Sequence, residues 1–212
     1  VRKAIVILFF FVACSHEATL QQWPSGKIPF IMIGFTAEEE MAIVKAMIIW
    51  EVVSDMKVEF LLVGVSDIPK NTQVLQIIHQ DGDTNFCVNT GYDPSGENIM
   101  GLAIMEERFI LHELGHILGL MHEMCRPDRD LYISITLDLV ADDLDIVWQF
   151  IYRIPELYDY SKYPFDYQSI MMYPSDQFED IIDGHGQELG GDMPTWIDAW
   201  KVRDIYAENV SL

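Results

Sequence analysis

From residue 23 onward the chain alternates between short apolar runs and segments whose apolar residues recur every three or four positions. Trp23-Pro24-Ser25-Gly26 has the composition of a turn, and the Ile-rich run 27–34 after it reads as a strand. Thr36 is a good N-cap, and Glu38, Glu39 and Glu40 suit the positive end of a helix dipole. Ile43, Met47 and Trp50 then recur at helical spacing, so a helix over 37–53 with these residues facing the core is expected. Strands are expected over 56–63 and 73–80, a turn-rich stretch over 81–96, a short strand over 98–104 and a second helix over 106–118. The second half is less regular. Acidic and apolar residues alternate over 137–150 in what reads as one helix, and 158–173 is aromatic and loop-like. The segment 193–206 reads as a helix packing Trp196, Trp200 and Ile205. Together these elements describe an α+β fold: an N-terminal twisted mixed sheet with two long helices, then an irregular part ending in a helix. Gly119 falls between two lobes, about 23–119 and 120–212, and a cleft between them is a natural place for chemistry.

The first residues break this pattern. Arg2 and Lys3 precede an uninterrupted apolar stretch, 4–13, too short to span a bilayer and of the length of a secretory signal. It ends in Phe11-Val12-Ala13-Cys14, which resembles a bacterial lipobox, where the cysteine after the cut becomes lipidated. Residues 1–13 are therefore expected to be a signal peptide, Cys14 a lipidation site opening a tether over 14–22, and 23–212 the main domain. The alternative is an ordinary signal peptide cut nearby. Either way the domain is expected to be exported, lipid-anchored in a bacterial cell envelope or otherwise secreted. Half of the 212 residues are apolar, enough for a core without disulfide staples, and a monomer is expected. Cys87 and Cys125 are accordingly expected as free, buried thiols. The net charge of −21, with no basic stripe, excludes nucleic acid as a partner and disfavours acidic substrates at long range.

The chemistry is concentrated in 109–130, Phe-Ile-Leu-His-Glu-Leu-Gly-His-Ile-Leu-Gly-Leu-Met-His-Glu-Met-Cys-Arg-Pro-Asp-Arg-Asp. His112 and His116 are four apart, so on a helix their imidazoles lie on one face, one turn apart, where both can reach a single Zn²⁺. Glu113 projects beside them without being needed as a ligand, placed to act on a water at the metal. Gly119 supplies a left-handed residue that ends the helix, and the reversal brings His122 round as third ligand with a fourth position left for water. Two histidines at this spacing are common by accident; with Glu113, Gly119 and His122 in register they are a metal motif.

This motif, Glu123 directly after its last histidine, the run Arg126-Pro127-Asp128-Arg129-Asp130 and the segment Asp166-Tyr167-Gln168-Ser169-Ile170-Met171-Met172-Tyr173 together resemble the astacin branch of the metzincin peptidases. The resemblance extends to Trp23 through Phe30 and to Asp204-Ile205-Tyr206. It implies a two-lobed metzincin fold, one catalytic Zn²⁺ and hydrolysis of protein or peptide substrates. Glu113 would be the general base. Ser169 and Met171 would belong to a methionine turn, Met171 forming an apolar floor beneath the imidazoles. Tyr173 would be an additional metal ligand that swings away to stabilise the oxyanion. The strand around Gly96, Asn98 and Met100 would be the edge along which substrate extends. Rival readings are an inactive zinc-binding adhesin or binding module, and a peptidase of another metzincin branch.

The chain also departs from the pattern. Met56 and Ile104 stand near where family cysteines are expected, and Met172 replaces the usual histidine before the turn's tyrosine. Cys125, three residues past His122, is placed where it could approach the metal as an inhibitory ligand. In the family a freed N-terminal amine can be buried near the glutamate after the third histidine. A lipidated Cys14 could not do this, which leaves Glu123 to a local cation or water.

Overall fold

The computed structural model describes residues 22–64, 73–136, 150, 160–178 and 181–207. The proposed signal peptide, Cys14, all of the expected helix over 137–150 but Phe150, and the segment 151–159 lie outside them. The sheet has the order β2-β1-β3-β5-β4. Its strands are β1 (Lys27–Ile33), β2 (Glu59–Leu62), β3 (Leu75–His79), β4 (Phe86–Cys87) and β5 (Ile99–Leu102). β1, β2, β3 and β5 pair in parallel, and β4 runs antiparallel to β5. The mixed sheet expected from the sequence is therefore present.

α1 (Ala37–Val53) connects β1 to β2 and starts at the expected N-cap, Thr36, which forms a capping box with Glu39. Ile43, Met47 and Trp50 are buried as expected, while Met41, Ile48 and Val52 on the other face are exposed. α2 (Glu107–Ile117) carries the first two histidines and packs on α1. α3 (Trp196–Ile205) opens on a second capping box, Thr195 with Asp198. Its packing corrects one expectation: Trp196 is 63% exposed and stacks on Trp200 at 5.9 Å, and Ile197, Val202 and Ile205 do the burying. Trp200, one turn on, is half-buried and meets the Tyr163 ring at 5.0 Å, as expected of a packed residue.

The described residues form two apolar clusters. The larger joins the sheet, α1 and α2 with Ile170, Met171, Val202 and Ile205, so the late part of the chain folds back into the first core. The smaller gathers Met124, Ile133, Phe165, Met172, Tyr173 and Leu189. The metal motif lies between them: Leu111, Leu114 and Ile117 beside its first two histidines belong to the larger cluster, and Met124 just after His122 to the smaller.

Candidate zinc centre

α2 is held in the middle and at its C-terminal end. The Trp50 indole N–H donates to the Leu111 carbonyl at 3.0 Å, and the Trp23 indole N–H to the Ile117 carbonyl at 3.0 Å. The Ile117 carbonyl is one of those a helix end leaves without an internal partner. The Gly91 N–H donates to the His116 carbonyl at 2.8 Å, and the Cys87 thiol to the Glu113 carbonyl at 3.2 Å. After α2, Gly119 adopts φ 99°, the left-handed conformation expected of it, and its N–H returns to the His116 carbonyl at 2.9 Å.

This reversal brings the three histidines together. The Nε2 atoms of His112 and His122 lie 3.1 Å apart, as do those of His116 and His122. His112 Nδ1 donates to the Ile170 carbonyl and His116 Nδ1 to the Leu120 carbonyl, each at 2.8 Å. These bonds fix the tautomer, so the Nε2 atoms of His112 and His116 face His122 as acceptors. Three ring nitrogens converging at 3.1 Å are spaced to share one cation. Two ligands about 2.05 Å from a tetrahedral zinc would sit roughly 3.3 Å apart, so the residues present fit that ion. Among the described residues, this triad is the group of His, Cys, Asp or Glu able to hold a metal, and Cys125 is not part of it.

Burial keeps the triad ready for metal. It lowers His112 to about 3, helped by the neighbouring His116, lowers His116 to about 4, and holds His122 well below its ordinary value. Glu113 is raised to about 8 by burial, with the Cys87 thiol pulling the other way. Its Oε2 is buried with no hydrogen-bond partner among the described residues, an orphan that calls for a ligand or water at that point. Tyr173 is buried with its ring centroid 4.9 Å from that of His122, and burial pushes its phenol well above the ordinary value. Glu113, His112 and Tyr173 line one cleft together with Asn85, Ile104, Arg108, Phe109, Met172 and Pro174.

The methionine turn lies under α2. A Cβ on Gly115 would come 2.5 Å from Met171 Sδ, so this helical glycine makes room for the methionine. Ser169 Oγ donates to Asp198 Oδ1 at 2.6 Å, and the Ile170 N–H to Asp198 Oδ2 at 3.0 Å. α3 thus fixes the turn whose Ile170 carbonyl orients His112. Glu123, fully buried, accepts from the Asp166 N–H at 2.9 Å, from Arg126 Nη1 at 3.0 Å and from Lys201 Nζ at 2.5 Å. Arg126 in turn forks onto Asp128 with two bonds of 2.9 Å.

The proposed edge strand needs correcting. Ile99–Leu102 is interior to the sheet, with β3 on one side and β4 on the other, and Met100 is wholly buried. Asn98 bonds both ways to the backbone of Asp93, each at 2.8 Å, and Gly96 at φ 106° completes that turn. The edge belongs to Phe86–Cys87, whose two residues are too few to show alternation in the sequence. Sequence reasoning also missed Asp166, Asp198, Lys201 and Gly115. A signal existed for two of them: Asp198 and Lys201 are charges at positions where the α3 pattern calls for apolar residues.

The chain matches the profile of the peptidase family described as Astacin over residues 15–185. It is 31% identical over 171 residues to the zinc metalloproteinase nas-39 of Caenorhabditis elegans, covering 77% of this chain and 17% of that protein. It is 27% identical over 159 residues to bone morphogenetic protein 1 of Xenopus laevis, covering 74% and 21% respectively. The chain thus spans about a fifth or less of these relatives' lengths. High choriolytic enzyme 1, a hatching enzyme zinc-protease of Oryzias latipes, superposes with TM-score 0.64 at 22% identity, covering 89% of this chain and 94% of that one. Myroilysin superposes with TM-score 0.65 at 19% identity, covering 89% and 97%. Both show the same fold.

Proposed function

Because this chain belongs to the astacin family of peptidases, we propose that it hydrolyses peptide bonds within proteins as a zinc endopeptidase. The observation that carries the reading is the unpartnered, buried Glu113 Oε2 beside three convergent imidazoles. His112, His116 and His122 would hold a zinc ion, which would supply a Lewis acid able to acidify water and polarise a carbonyl. Glu113 takes the proton of the attacking water on Oε2 and returns it to the leaving amine. Tyr173, kept neutral by burial, donates to the oxygen on which negative charge develops. Substrate adds as a further strand along Phe86–Cys87, and one side chain enters the cleft walled by Ile104, Phe109 and Met172 with Arg108 at its side. Export, with lipid attached at Cys14, is supported by the sequence 2–14. Labelling of wild type but not of Cys14→Ser by a palmitate analogue checks this, and an unlabelled wild type rejects it.

The test is digestion of a denatured-peptide library, with and without 1,10-phenanthroline, alongside Glu113→Gln. Wild type should cleave, chelator should stop it, and Glu113→Gln should bind zinc while losing about 10²–10⁴-fold in kcat. Bound zinc without cleavage would make the protein a binding module, and undiminished cleavage by Glu113→Gln would remove that residue from proton transfer.

A further inference from the structure

Glu123 adjoins the third histidine in sequence, and its N–H donates to the Met171 carbonyl at 3.0 Å, so its position is shared by His122 and the methionine turn. Its two oxygens are differently supplied. Oε1 takes Arg126 Nη1 and the Asp166 N–H, both from the part of the chain between His122 and α3. Oε2 takes Lys201 Nζ at 2.5 Å, from α3. Lys201 is only 6% exposed, and it lies in the stripe formed by Ile197, Val202 and Ile205, where an unpaired ammonium would not be tolerated. The charges facing it are Glu123, Asp166 and Asp198; Arg126 is the cation that shares Glu123.

We propose that Lys201 is a positioning residue of the metal centre: its ammonium, delivered from α3, holds Glu123 and through it His122 and the Met171 backbone in register with α2. Glu123 is then fully satisfied from within the domain and needs no amine from an N-terminus. This inference rests on the zinc-peptidase reading. Neutralising Lys201 removes the charged donor from Oε2, and a buried carboxylate missing a partner re-seeks one by moving its backbone. The segment that moves carries a metal ligand. A lysine that served only to stabilise the fold would lower the melting point and leave zinc affinity alone.

The experiment measures zinc affinity by chelator competition, kcat and KM on a peptide, and the melting point, for wild type, Lys201→Met and the charge-balanced pair Glu123→Gln with Lys201→Met. Folded Lys201→Met should bind zinc at least ten-fold more weakly and lose at least ten-fold in kcat, with KM within two-fold. Wild-type zinc affinity and kcat in that variant would overturn the proposal. Should Lys201→Met fail to fold, the double variant decides in the same way, since it removes both charges of the pair together. In wild type, an N-terminal extension retained or removed should change kcat/KM by less than two-fold; a ten-fold rise on freeing the amine would overturn the proposal by showing that Glu123 awaits a different cation. Wild type that neither binds zinc nor cleaves peptide would reject the peptidase reading itself, whatever Lys201 does.

Discussion

Burial moves the titrating groups of the metal centre in opposite directions, with opposite consequences for stability. Unfolded glutamate titrates near 4.5, while folded Glu113 is raised to about 8, so between those values the folded chain keeps a proton the unfolded chain has lost. The contribution of Glu113 is therefore complete below pH 4.5 and disappears as pH rises towards 8. His112 and His116 run the other way. Folded, they stay neutral down to about 3 and about 4; unfolded, they take protons below about 6.5, so their contribution is complete above 6.5 and lost as pH falls. In the metal-free protein, Glu113→Gln should thus be progressively more stable than wild type from pH 5 to pH 8, by up to about 5 kcal/mol. Thermal melts in EDTA across that range would check it, and a gap that stays constant with pH would show that Glu113 is ionised throughout.

Among the elements, α3 has the widest influence on the site while contributing no ligand. Asp198 receives Ser169 Oγ, the Ile170 N–H and the Thr195 N–H, so one carboxylate caps its own helix and fixes the methionine turn. Asp198→Ala should cost about 3 kcal/mol and weaken zinc binding about 10–100-fold, because the Ile170 carbonyl that aims His112 would drift. Urea melts and chelator competition measure the two effects, and unchanged zinc affinity would confine Asp198 to helix capping. None of this coupling is legible in the sequence, because it joins residues about thirty positions apart. What is legible depends on local spacing: Thr36 with the glutamates after it announces α1, and His112, Glu113, His116, Gly119 and His122 announce the ligand helix and its reversal. β4 escapes because two residues carry no period, and the edge that the family resemblance assigned to the strand around Gly96, Asn98 and Met100 belongs to it instead. The outward face of Trp196 escapes too, because spacing groups residues on one side of a helix without saying which side looks inward.

At the scale of the molecule, the centre joins two cores. His112 and His116 are fixed on a helix of the larger cluster, while His122 leads into Met124 and Tyr173 of the smaller. A metal bound by all three favours only the state in which both clusters are assembled. Removing zinc should therefore lower the melting midpoint by about 10 °C, for an ion present at about a thousand times its dissociation constant, with one transition in each condition. Calorimetry with and without chelator checks this. Unchanged melting would mean that the cores are tied independently of the ion.

The return of α3 into the first core also sets an order of assembly during synthesis. A ribosome makes His122 nearly eighty residues before Lys201, so the three histidines emerge before the ammonium that fixes Glu123 beside them. Until that late helix docks, the nascent chain has the ligands of a hydrolytic centre without its geometry. On the peptidase reading, the centre is completed only once this last helix has been made.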